Sequence, residues 1–138
     1  MAVSRGTEDL VRHPTAEAIA SLVVRFELPH RADMQDWEYE VSDPSRVDEF
    51  LAGYELPELS EDERFVLMKT IIQSFEELFE CGPDPRWVQV LRLLERDYST
   101  HVSTVRYWAS GDDPVQDCWS VTADLRQLRD RLTRPGGA

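Results

Sequence analysis

The sequence predicts an all-α protein, a compact bundle of about six helices built from antiparallel helical hairpins. Three observations lead there: apolar residues recur at three- and four-residue spacing along most of the chain, Asp-Pro pairs stand at 43–44, 84–85 and 113–114, and Ser60 with Glu63 spells a capping box.

Taken in order, Ile19, Leu22, Val23 and Phe26 fall on one stripe of a helix over about residues 15–27, which Pro29 stops. Between Met34 and Val41 the period changes: Trp37, Tyr39 and Val41 alternate with Asp36, Glu38 and Glu40, the repeat of a half-buried strand. Asp43-Pro44 then opens a second helix, since the carboxylate caps free backbone N–H groups and proline loses no hydrogen bond at the first helical position. Its stripe is Val47, Phe50, Leu51 and Tyr54, up to Leu56-Pro57. The Ser60 capping box starts the longest helix, with Phe65, Met68, Ile72, Phe75 and Phe79 as its seam. Leu67, Ile71 and Leu78 widen that seam, as suits a central helix touched on more than one side, and Gly82-Pro83 ends it.

Asp84-Pro85 repeats the start signal ahead of a stripe made by Trp87, Val90, Leu91, Leu94 and Tyr98. Residues 101–109 place Val102, Val105 and Trp108 or Ala109 on one side of a further helix, and Thr122 caps a last one carrying Leu125, Leu128 and Leu132. Residues 36–41 and 117–121 form a candidate two-stranded element. Segments 43–54 and 84–95 share Asp-Pro and similar apolar spacing, but two copies fall short of the ~3 that a self-supporting helical stack needs, and coincidence is the simpler account. The 138 residues are expected to make a single helical domain, 1–138, with 1–12 and 134–138 frayed.

Composition narrows the function classes. Apolar residues at 41% and aromatics at 9% suit a folded soluble chain. A net charge of -12 argues against nucleic acid or an anionic membrane as the main partner, since both call for concentrated positive charge. The charge is uneven: residues 27–80 hold sixteen acids against Arg31, Arg46, Arg64 and Lys69, while the remainder balances eleven against eleven. No apolar run approaches a secretory core or a membrane span, so a cytoplasmic location is expected. Cys81 and Cys118 read as reduced thiols.

Chemical motifs are weak. His13, His30 and His101 belong to no metal-ligand spacing. Glu76, Glu77 and Glu80 lack the histidine partner of a di-iron helix, and Asp112, Asp113 and Asp117 have the wrong spacing for a calcium loop. Neither a phosphate-binding loop nor a nucleophile elbow is present. No catalytic residue, metal or cofactor is therefore expected.

What stands out is acid interleaved with aromatic rings. The expectation is a small acidic module that neutralises or inhibits a basic protein, in the manner of an immunity protein or antitoxin, with Asp33, Asp36, Trp37, Glu38, Tyr39, Glu40, Asp48 and Glu49 as partner-binding residues. The rings would supply apolar anchors and the carboxylates would meet arginine or lysine. Three alternatives compete: a scaffold module binding through apolar grooves between helices, a small enzyme using His101 with a carboxylate, and a mimic of nucleic acid.

Overall fold

The computed structural model describes residues 14–28, 41–79, 84–109 and 120–133. They include six α-helices, and the all-α class expected from the sequence is the one found. Of the candidate strands, 36–40 and 117–119 lie outside the described residues; Val41 is helical and Val121 sits in a turn.

Thr15 has extended backbone and accepts the Ala18 amide on its hydroxyl, which opens α1 (Ala16–Phe26). The helix closes at Glu27, a left-handed residue with φ 54°, where the Leu28 amide reaches back to the Val23 carbonyl. Asp43 receives the Ser45 amide and starts a single 3-10 turn, Pro44–Arg46, which runs into α2 (Val47–Tyr54). Ser60 and Glu63 form the expected reciprocal cap, and α3 (Glu61–Leu78) follows. After Pro85 come α4 (Trp87–Arg96), α5 (Tyr98–Ala109) and α6 (Thr122–Thr133).

The chain divides at Asp84 and Pro85 into two compact units. In the N-terminal unit, Pro14–Asp84, α3 is the central element and packs against α1, α2 and the 3-10 turn. That explains its width of apolar surface: Phe65, Val66, Leu67, Met68, Ile71, Ile72 and Phe75 are all buried. Phe26 meets Phe50 edge-on with centroids 5.7 Å apart. The backbone of α2 comes up to that ring because residue 53 is glycine; a Cβ there would stand 2.7 Å from Phe26 Cε1 and overlap Cζ.

In the second unit, here the described residues from Pro85 to Thr133, α4, α5 and α6 pack on one another. Trp87 donates its indole N–H to Asp124 at 2.9 Å, tying α4 to α6. Three details differ from the sequence reading. Leu93, not Leu91, lies in the α4 core, because the helix turns its Trp87, Val90 and Leu94 side inward with Leu93 at its edge. The buried side of α5 is Thr100, His101, Thr104, Val105, Trp108 and Ala109, so Val102 is only half-buried. Thr122 is a helical residue and not a cap; its hydroxyl donates instead to the Trp108 carbonyl at 2.7 Å.

Candidate functional site

Two helix N-termini meet in the N-terminal unit. The first turns of α1 and α3 carry Glu17 and Glu61, Asp62, Glu63, as suits the positive end of a helix dipole. Ser21, one turn further along α1, donates its hydroxyl to the Glu63 carboxylate, which also receives the Ser60 amide at 2.7 Å. The same carboxylate thus caps its own helix and clamps α1 to it. Burial pushes the Glu63 carboxyl up, but the hydrogen bonds from Ser21 and Ser60, with the charge of Arg25, outweigh that and hold it below its ordinary value. Between the two helix ends lies a cleft of about 260 Å³ lined by Thr15, Glu17, Ala18, Ser21, Ser60, Asp62 and Glu63.

Around this cleft acids far outnumber bases among the described residues. The described residues of the N-terminal unit include thirteen acids and four bases. Each base has a structural post. Arg46 forks onto Glu49 at 2.9 and 2.7 Å, donates to the Phe26 carbonyl at 2.6 Å and lies over the Phe50 ring. Arg64 donates to the Tyr54 and Leu56 carbonyls at 2.9 and 2.7 Å. Both guanidiniums therefore sit on the C-terminal ends of helices, where carbonyls lack helical partners. Lys69 lies over the Phe65 ring, and Arg25 makes a loose 3.5 Å pair with Glu58.

Of the residues expected to bind a partner, Asp33, Asp36, Trp37, Glu38, Tyr39 and Glu40 lie outside the described residues. Asp48 and Glu49 are exposed in the first turn of α2. The Arg46 hydrogen bond holds the Glu49 carboxyl below its usual range, so Glu49 is already matched to a cation. Glu17 and Asp62 were missed by the sequence reading. The capping box was visible, but its junction with α1 forty residues upstream was not.

The C-terminal unit offers less. His101, the conceivable general base, is fully buried in α5. Beside it on α5, burial pushes the Tyr98 phenol up against the opposing effect of Arg106 and Arg129, and the Thr104 hydroxyl has no hydrogen-bond partner among the described residues. Among the described residues no three His, Cys, Asp or Glu side chains gather in a way that would hold a metal ion, and no helix is long and apolar enough to cross a membrane. Comparison with known proteins adds no relative: no family model, no curated protein and no solved structure matches the chain.

Proposed function

We propose that this protein is an acidic binding module that docks a basic protein partner through its N-terminal unit and so neutralises or occludes it. The observation that carries this reading is the excess of thirteen acids over four bases among the described residues of that unit, where Arg46 and Arg64 are also engaged by backbone carbonyls. A surface with an excess of carboxylates attracts a cationic partner over distances of about a Debye length and speeds encounter. The cleft carrying Glu17, Asp62 and Glu63 is a part of that surface with room for an arginine or lysine side chain. Such an activity belongs in the cytoplasm beside its target, and it calls for no catalytic group.

The test is affinity capture from the native cell extract at low salt, on the wild-type chain and on a variant with Glu17→Gln, Asp48→Asn and Asp62→Asn. A basic protein retained by the wild type, released by salt and lost on the variant is the expected result. Retention that ignores both salt and the three substitutions overturns the proposal.

A further inference from the structure

Of the three α-helices in the N-terminal unit, α1 is the most thinly anchored. Three of its eleven residues, Ala18, Leu22 and Phe26, are buried, against five of eight in α2 and nine of eighteen in α3. Elements with the least buried contact open first in a native fold. Among the described residues three polar ties join α1 to other elements: Ser21 to Glu63, Arg25 to Glu58 at 3.5 Å, and the Phe26 carbonyl to Arg46 at 2.6 Å. The Arg25 pair is long and exposed, and Arg46 reaches only the last residue of the helix. The Ser21 hydroxyl on Glu63 is thus the tie that holds the body of α1 to α3.

The end of α1 is strained as well. Glu27 stands at φ 54° and ψ 56°, in the left-handed region that glycine enters freely and a residue with a Cβ enters at a cost. Among the described residues it is the one non-glycine with positive φ. The turn is kept by the Leu28 amide on the Val23 carbonyl at 3.0 Å, and Leu28 itself is buried. Strain of this kind persists only while the surrounding contacts enforce it, and it is relieved when the helix lets go.

We infer that α1 is a latched helix, which opens as one unit while α2 and α3 stay folded, with Glu27 as its hinge and the Ser21–Glu63 hydrogen bond as its latch. Opening withdraws Leu22 from the core and Phe26 from its seat against Phe50 and Gly53. The latch parts without dismantling α3, because Glu63 keeps its reciprocal cap with Ser60 when Ser21 leaves.

The experiment is native-state amide exchange, resolved by residue, on the full chain in urea below its unfolding transition. In the wild type the amides of residues 22–26 should share one opening equilibrium, with protection about tenfold or more below that of residues 68–72 and a smaller urea slope. Ser21→Ala should lower the protection of α1 several-fold, and Glu27→Gly should raise it several-fold. Ser74→Ala removes the acceptor of the Asp43 amide, so it should lower protection in α3 and leave that of α1 unchanged. Circular dichroism checks the fold of each variant, and where Ser74→Ala does not fold the urea slopes decide. Equal protection and equal slope in α1 and α3 would overturn the inference, since α1 would then open only with its whole unit. So would a loss in α1 that matches the loss in α3 for Ser74→Ala, or graded fraying along α1 that ignores both Ser21→Ala and Glu27→Gly.

Discussion

The two units handle charge in opposite ways. In the N-terminal unit the minority charge is positive, and the four cations among its described residues have structural contacts. In the C-terminal unit the described residues hold four acids and seven bases, and it is the acids that are consumed: Glu95 pairs with Arg131, Asp97 with Arg96, Asp130 with Arg129, and Asp124 accepts the Trp87 indole. Each unit thus uses its scarce sign internally and carries the other in excess. Net charge counted over the whole chain hides this, because what a partner meets is the charge left after internal pairing.

A shared device links the units. Arg46, Arg64 and Arg126 each donate to carbonyls at the C-terminal end of a helix, Arg126 to Ala109 at 3.1 and 2.8 Å. Beside it, Thr122 satisfies the Trp108 carbonyl, so the first turn of α6 closes the end of α5. Arginine suits this role because its planar fork can reach two acceptors while staying charged.

The comparison can be broken most strongly at Gly53. Gly53→Ala forces a methyl into the Phe26 ring, which also packs edge-on against Phe50, and is expected to cost about 1–3 kcal/mol. Measured by amide exchange, the loss of protection should concentrate in residues 14–84; equal loss from 85–133 would show that the two units do not keep separate cores. A smaller effect is expected from pH. The Glu63 carboxyl is depressed in the folded chain, so its contribution is fully present above the ordinary value of 4.5 and is lost as pH falls through the lower folded value. Denaturation midpoints of the wild type should therefore drop more steeply than those of Glu63→Gln between about pH 5 and about pH 3. Parallel profiles would mean that Glu63 does not join α1 to α3. Least of all is expected from Arg131→Gln, whose pair with Glu95 is exposed on both sides; a thermal melt should move by no more than about 0.5 kcal/mol equivalent.

How far the sequence reached depends on the range of the interaction involved. The Ser60–Glu63 box and Asp43 at the head of its turn were legible because both partners lie within three residues. Ile19 and Val23 were read as core with Leu22 and Phe26, and their partial exposure could not be foreseen, because periodicity shows that a face is apolar and not whether a neighbour covers it. Thr122 was misread for a related reason. A threonine before a helical stripe has the composition of a cap, but the acceptor it found is fourteen residues upstream.

By itself the sequence determined that this is a helical protein, where α1 and α3 begin, and that its acids crowd into the first two-thirds of the chain. Only the tertiary structure decided that Ser21 would meet Glu63, that Glu17 and Asp62 would share a cleft, and which cations would be withdrawn from the surface. The physical reason is distance along the chain: caps and stripes are set by neighbours a turn away, whereas a cleft is made by segments forty residues apart whose meeting depends on how the whole core closes.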